Sequence, residues 1–551
     1  MQLSPRLPAV GLGRILGILG VVLAVILYFK IPSTWGSVVA VFVGGVPLLL
    51  GVVKPILRKK FPSLTVDLDL TYLLQHMLCV STGKPPRATL FRVVSEERLY
   101  PKYQEVFKRI HILGKEWGYS FAEACRLVAR SVENKVLREF LARLGGVLAV
   151  GEDVESFLRT EYLTMISEYE TYYNRIVDAL RMFLGVYTSL MAAGVFMLSN
   201  FLLLAFFFGG SMRILVASFA IVILTMGGAA ALLFMLVPSD AFENKMKPRP
   251  RLLVFSDIVA VAGLACSLAF SMLIARNMGV TYTGLALALL ATGACLLPAG
   301  VLAKTVERRI RDIDIFFPVF IRSYGMHLQT VPQMARALKP LLAAELGKLN
   351  KLLENLYARL VNSVDPRIAW RLFAAECGSE LVRRALRIFL DTVEKGGRVA
   401  EAGALLSDHH NTIVRLRRAK FQVAKTFETT TYMLHLAVVL IAVFITQLLQ
   451  GFSSVLYQVQ AQLPSELSGL FMMTSFPLKT IVTATTLFVV SLIFFNAGAI
   501  TKATPGVSRC FWYYFAILSI ISGAGVIFGQ ELMKFILSST IETLNRTLVA
   551  P

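Results

Sequence analysis

Cysteine is scarce in this sequence, and what there is does not pair. Cys79, Cys125, Cys266, Cys295, Cys377 and Cys510 form no C-x-x-C motif, and three of them fall in or beside long apolar runs. That argues against a disulfide framework and against a zinc site, and leaves reduced, packing cysteines as the expectation. The phosphate-binding pattern G-x-x-x-x-G-K-[ST] is also missing. Gly83-Lys84 runs into Pro85, and Gly114-Lys115 runs into Glu116. Without that backbone cradle, an energy-consuming function needs a separate ATPase. Neither HExxH nor GxSxG occurs, so the sequence assigns no catalytic, cofactor-binding or metal-ligating residue, and no enzyme activity is expected. His409-His410, next to Asp408, is the single histidine pair. Its neighbourhood supplies no further ligands for a metal, so ordinary surface histidines are expected.

Charge is thin as well. Only 17% of the 551 residues are charged, while 56% are hydrophobic. A mean hydropathy of +0.65 is too apolar for a soluble chain of this size. Apolar runs close to the roughly 20 residues a bilayer requires, charged only at Asp257, occur at 15–29, 37–53, 186–208, 214–237, 252–275, 280–303, 434–449, 480–500 and 511–529. The sequence therefore predicts an all-α polytopic membrane protein with about nine transmembrane helices. The first run follows Arg6 and Arg14 but ends at Tyr28-Phe29-Lys30, without a small-residue cleavage pattern, and reads as a retained anchor.

Most charges sit in two stretches between these runs. Residues 55–181 hold 19 basic and 16 acidic side chains, and residues 304–431 hold 22 and 13. Lys and Arg concentrate on one side of the predicted membrane: Lys54, Arg58, Lys59 and Lys60 after the second run, then Lys245, Lys247, Arg249 and Arg251, then Lys304, Arg308, Arg309 and Arg311. The opposite side receives only Lys30, Arg213 and Arg276 in its first three loops. By the excess of basic residues on the cytosolic side, the N-terminus and both polar stretches are expected in the cytosol, and the C-terminus outside. The expected organisation is an N-terminal transmembrane pair (1–54), a helical bundle (55–181), four transmembrane helices (182–303), a second bundle (304–431), and three transmembrane helices with an external tail (432–551).

The two polar stretches repeat each other. Asp67-Leu68-Asp69-Leu70 recurs as Asp312-Ile313-Asp314-Ile315, an offset of 245 residues. The same offset pairs Leu127 with Leu372, Ala129 with Ala374, Arg138 with Arg383, Gly151 with Gly396 and Val154 with Val399. Helical periodicity is clear in Phe121–Val128 and again in Leu381–Val393. Pro and Gly at Gly83-Lys84-Pro85-Pro86, Gly118 and Gly151 mark short turns. Each copy is thus expected to be a compact antiparallel bundle.

Each copy resembles the F domain of type II secretion and type IV pilus assembly systems. The resemblance rests on a leucine-rich helix, a glycine turn and a second helix at Leu73–Leu90, on Gly118-Tyr119-Ser120-Phe121-Ala122-Glu123-Ala124 and on Gly151-Glu152-Asp153-Val154. The second copy keeps Gly396-Gly397-Arg398-Val399 but departs at Gln329-Thr330-Val331-Pro332 and at Asp365-Pro366-Arg367, where turns must be built without glycine. Gly83, Gly118, Gly151, Gly396 and Gly397 are therefore the family's turn positions. The duplicated layout with a leading pair of spans looks most like archaeal members, including archaellum platform proteins. The resemblance implies a non-catalytic membrane platform beneath a growing filament. It also implies a hexameric cytosolic assembly ATPase and pilin or archaellin subunits as partners, and a homodimer by analogy.

Basic clusters are the remaining candidates. Arg383, Arg384 and Arg387 lie on the polar side of one helical stripe and are expected to dock the ATPase. Arg308, Arg309 and Arg311, and Arg415, Arg417, Arg418 and Lys420, flank predicted spans and suit either that partner or anionic headgroups of the lipid bilayer. Nucleic acid is not expected, because the domains are membrane-tethered and carry no recognition motif. Asp257 and Lys479 sit near span edges and are expected to reach headgroups, and His435 to sit at the interface. The alternative reading is a transporter with cytosolic regulatory domains, which would normally place polar or broken helices at mid-membrane.

Overall fold

The computed structural model describes residues 67–548 apart from 97–98, 208–211, 239, 245, 247–250, 280 and 463–477. The expected first two spans, at 15–29 and 37–53, lie outside the described residues. The chain is an all-α polytopic membrane protein: among the described residues the only β pairing is the isolated bridge between Glu243 and Ser379. Among the described residues seven helices are long and apolar enough to cross a membrane, one for each predicted run from 186 onward.

Five short helices come first: α1 (Leu68–Ser81), α2 (Arg87–Glu96), α3 (Gln104–Lys115), α4 (Phe121–Ser131) and α5 (Lys135–Val150). Their starts are set by side chains that accept from otherwise unsatisfied amides. Asp67 accepts from Leu70 N at 2.9 Å, Ser120 from Glu123 N at 3.2 Å, and Asn134 from Val136 N at 3.0 Å. α5 stops at Gly151, whose φ of +82° is open to glycine at little cost. α6 (Val154–Phe207) then runs 54 residues without a break, α7 (Met212–Leu236) returns, and α8 (Arg251–Met278) and α9 (Tyr282–Thr330) form the next pair.

Beyond α9 come α10 (Met334–Leu338), α11 (Asn350–Val361), α12 (Pro366–Cys377) and α13 (Glu380–Glu394). The turn that lacks glycine before α12 places Ser363 at φ +58°, then uses Asp365 to cap Arg367 N at 2.7 Å with Pro366 as the first helical residue. α14 (Val399–Gln462) is a 64-residue helix, followed by α15 (Leu478–Ala503) and α16 (Phe511–Leu548). The expected borders at 181, 303 and 431 therefore fall inside α6, α9 and α14. No helix stop separates polar from apolar sequence there, so one helix serves both.

The two polar stretches pack against each other. Leu73, Phe91 and Phe140 of the first share one buried core with Phe320, Trp370 and Phe389 of the second. Across the join, the Tyr72 ring of α1 lies 4.3 Å from that of His409 in α14, and Gln75 donates to Leu405 O at 2.9 Å. A second core belongs to the apolar helices, with Met226, Val439, Phe488 and Leu518 at its centre. There α9 approaches α16 closely: a Cβ at Gly293 would meet Ala516 O at 2.8 Å, and one at Gly300 would strike the Tyr513 backbone.

Candidate functional site

One end of the polar bundle is formed almost entirely by turns. Gly145 of α5 lies against Ala122 of α4, so closely that a Cβ on Gly145 would stand 2.9 Å from the Ala122 carbonyl oxygen. These helices run antiparallel, and the turn 116–120 sits beside the C-terminus of α5. Arg87 donates to Leu148 O at 3.3 Å and brings the start of α2 to the same place. Gly83 meets Gly396: a Cβ on Gly83 would stand 2.8 Å from Gly396 O. Gly397 is equally enclosed, since a Cβ there would stand 3.0 Å from Cys79 O, and its neighbour Arg398 donates its backbone N–H to Thr82 Oγ1 at 2.9 Å. Of the five turn glycines, Gly83, Gly396 and Gly397 thus meet at one contact between the two stretches. Gly118 and Gly151 are instead open turns at φ +74° and +82°.

This end is remote from the membrane helices. α6 leaves it at Val154 and reaches its uncharged run at 186, which is about 48 Å at 1.5 Å per residue. It displays Trp117 at 70% exposure and Val150 at 76%, with Tyr119 between them in the turn. Lys115 and Arg87 are exposed near these positions, and so are Glu116, Glu152 and Asp153. Tryptophan and tyrosine are the side chains enriched at protein-docking hot spots. Charge patterning missed this surface. The available signal was two aromatics flanking a glycine where a solvent-facing turn has no core to offer them.

The basic clusters are placed differently from expectation. Arg384 is buried, bonding Asp69 at 2.6 Å and Glu380 at 2.9 Å. Arg383 bonds Glu380 at 2.7 Å, and Arg387 Nε lies 3.4 Å from Asp391. α13 also begins beside the α7–α8 connection, where Glu380 N donates to Phe242 O. Its arginines therefore lie toward the membrane helices, not at the remote end. Burial pushes the Glu380 carboxyl up, but Arg383 and Arg384 more than offset it and hold it below the usual carboxylate range. Burial likewise opposes the Arg384 charge, and Asp69 and Glu380 overcome it and raise that guanidinium.

Arg417 is buried and donates to Ala241 O at 2.7 Å, while Lys420 holds Asp240 at 2.6 Å. Arg311 bonds Glu307 at 2.6 Å with its guanidinium over the Phe421 ring. Arg309 lines a cleft with Lys348, Lys351 and Glu376. Arg415 bonds Glu170, and Arg308 and Arg418 are exposed.

His409 and His410 are not surface residues. Both are buried, with His409 Nδ1 at 3.1 Å from the Tyr162 hydroxyl and His410 Nε2 at 3.8 Å from Asp314. Their position on α14 faces α6 and α9, which the pair's polar sequence context did not reveal. His435 is also buried rather than interfacial. Its ring joins Ser522 at 2.8 Å and Asn496 at 3.0 Å, and Asn496 accepts from Tyr187 at 2.8 Å, so four membrane helices share one polar chain. Asp257 pairs with Arg509, which also holds Glu243 at 2.8 Å, so it is neutralised within the protein instead of at headgroups. The Lys479 side chain lies outside the described residues. Among the described residues no three His, Cys, Asp or Glu side chains group as metal ligands.

The ion pairs between α6 and α14 run in step. Arg398 reaches Glu155, Arg159 reaches Glu401, Tyr162 reaches His409, and Arg415 reaches Glu170. The two longest helices therefore lie side by side and parallel, and both pass from the remote end into the membrane helices. Neither helix breaks between the exposed turns of the remote end and the apolar helices.

No family model matches the chain, and no solved structure matches it. Two curated relatives do. The chain is 25% identical to flagella accessory protein J of Methanocaldococcus jannaschii over 370 residues, 63% of each chain. It is 22% identical to flagella accessory protein J of Methanococcus voltae over 437 residues, 74% of this chain and 77% of that one. The chain thus matches just under two thirds of the length of the first of these relatives, and its similarity is to filament accessory proteins of that one name.

Proposed function

We propose that this protein is the membrane platform of an archaeal filament machine of the type IV pilus and archaellum kind. It works without catalysis of its own. The polar bundle faces the cytosol, and its remote end, built around Trp117, Tyr119 and Val150, docks a hexameric assembly ATPase. The membrane helices contact pilin or archaellin subunits as these leave the bilayer.

The observation that carries this reading is the pair α6 and α14, each continuous from the docking end into the membrane. Displacement at one end is delivered to the other without an intervening loop. The F-domain resemblance and the similarity to flagella accessory protein J support the same assignment.

The test is deletion of the gene in its host, followed by electron microscopy of the cell surface and a swimming assay. Loss of filaments with motility is expected for an archaellum, and loss of non-motile filaments alone for an adhesive pilus. Intact filaments of every kind would overturn the platform reading and bring the transporter forward.

A further inference from the structure

Most cations at the membrane boundary are already matched by an acid. Lys304 and Arg311 both bond Glu307, Lys420 holds Asp240, and Arg509 holds Asp257 and Glu243. Arg309 differs. It lines a cleft of about 480 Å³ with Lys351 and Asn355 of α11, Lys348 of the turn before it, Glu376 of α12 and Leu252 of α8. Two of the charges there are cancelled: Lys348 bonds Asp312 at 2.5 Å, and Glu376 accepts from Arg359 at 3.1 Å. Among the described residues neither Arg309 nor Lys351 has an acidic partner. The cleft is left with two uncompensated positive charges, which repel each other until an anion lies between them.

The cleft sits at the depth of lipid headgroups. Ser256 of α8 donates to Ala299 O of α9 at 3.3 Å. These two helices are antiparallel, so Leu252, one turn before Ser256, lies level with the end of the apolar run of α9 at 303. Arg309 is six residues further on, about 9 Å along the axis. Headgroups extend roughly 5–8 Å beyond the hydrocarbon on each side, within reach of an arginine side chain that leans back toward the membrane. Leu252 and Phe255 share one face of α8, and both are exposed. An apolar path therefore leads from the cleft down the outside of a membrane helix.

We propose that this cleft binds the phosphate of one anionic phospholipid. The phosphate sits between Arg309 and Lys351, whose N–H donors suit its oxygens, and the first part of a hydrocarbon chain lies along Leu252 and Phe255. A zwitterionic headgroup brings a cation of its own into the cleft and is repelled there. A soluble phosphate matches the charge but leaves Leu252 and Phe255 uncovered. Arg308, adjacent in sequence, is exposed and lies outside the cleft lining. The site is thus set by where α8, α9 and α11 meet and not by basic sequence alone. It depends on the chain crossing a membrane and not on what docks at the remote end.

The experiment uses the full chain, purified and stripped of lipid in mild detergent, with native mass spectrometry and thermal unfolding as readouts. Phosphatidylglycerol, phosphatidylcholine and inorganic phosphate are the probes. Phosphatidylglycerol is expected to be retained at one per chain and to raise Tm, and the other two to do neither. Arg309→Gln and Lys351→Gln are each expected to weaken phosphatidylglycerol binding about fivefold, the scale of one cation's attraction near a lipid surface, and the double variant to weaken it further. Arg308→Gln, at the same depth but outside the cleft, is expected to leave binding unchanged. Equal stabilisation by phosphatidylcholine would remove headgroup recognition, and a shift with phosphate alone would make this a free-anion site. Either result overturns the proposal. So does an Arg308→Gln effect as large as that of Arg309→Gln, which would reduce the site to diffuse surface charge, or parent-like binding in the double variant.

Discussion

Glu170 and Arg415 form an ion pair at 2.9 Å, and they are 245 residues apart. That separation is the offset of the internal repeat, so two residues at equivalent positions of the copies touch each other. A residue contacting its own equivalent is the mark of a two-fold contact. Here the contact lies within one chain, along the parallel α6 and α14.

Because Arg415 and Glu170 are solvent-accessible, their pairing contributes little on its own. Glu170→Arg and Arg415→Glu are each expected to lower stability by about 0.2–1 kcal/mol, and the double exchange to recover most of the loss. Thermal unfolding of the four proteins in one detergent measures the coupling. Absence of any coupling would mean that the register of α6 on α14 is set by packing alone.

A far larger effect is expected at Arg384. Replacing it by Ala leaves Asp69 partly buried without its cation and Glu380 with Arg383 alone, at a cost of about 3–5 kcal/mol. Asp69→Ala is expected to be comparable. Proteolysis of the detergent-solubilised protein should then cut within α1–α5 at protease levels the parent resists. A parent-like pattern in both variants would show that the buried pair is not structural.

The same cluster sets an acid limit. Glu380 titrates below its ordinary range in the folded protein. Its contribution is therefore fully present above the unfolded-state pKa of roughly 4.3. It is lost as pH falls through the lower folded value. Unfolding curves should show stability falling below about pH 4.3 more steeply in the parent than in Glu380→Gln, which has no proton to take up. Parallel pH profiles would place the titration elsewhere.

At the remote end, function and stability should separate. Trp117→Ala and Tyr119→Ala remove exposed side chains and are expected to change stability by no more than about 0.5 kcal/mol. Capture of the proposed assembly ATPase from mild detergent should fall at least about tenfold, since truncating a hot-spot aromatic costs about 2 kcal/mol or more. The triple change of Arg383, Arg384 and Arg387 to Glu offers the contrast. It is expected to disturb folding through Arg384 before it reports on docking. Undiminished capture by the Trp117 and Tyr119 variants would move the docking surface elsewhere.

Much of this was legible in the sequence, for identifiable reasons. Apolar runs announce spans because lipid leaves the backbone few alternatives. The turns at Gly118, Gly151 and Gly396 are local signals read within a few residues. What stayed hidden depends on partners distant in sequence. Arg384 looks solvent-facing in sequence because its acceptor Asp69 is 315 residues away. His435 looks interfacial because Asn496 and Ser522 lie on other helices. The borders at 181, 303 and 431 follow a change in composition, but a change in polarity does not stop a helix, and α9 continues even through Pro298 and Pro318.

The unbroken course of α6 also sets how far a small motion travels. A helix that leaves the membrane boundary and extends about 48 Å before its first turn is a lever arm. Tilting it by about 5° at the boundary sweeps its outer end through roughly 4 Å, on the scale of a one-turn helical ratchet. With α14 bonded beside it along its length, the two helices swing together. Side chains near 186 and 434 would then move only by fractions of an ångström while the outer turns travel several. A driver acting on those turns works at high mechanical advantage, trading long strokes outside the membrane for short, forceful ones within it.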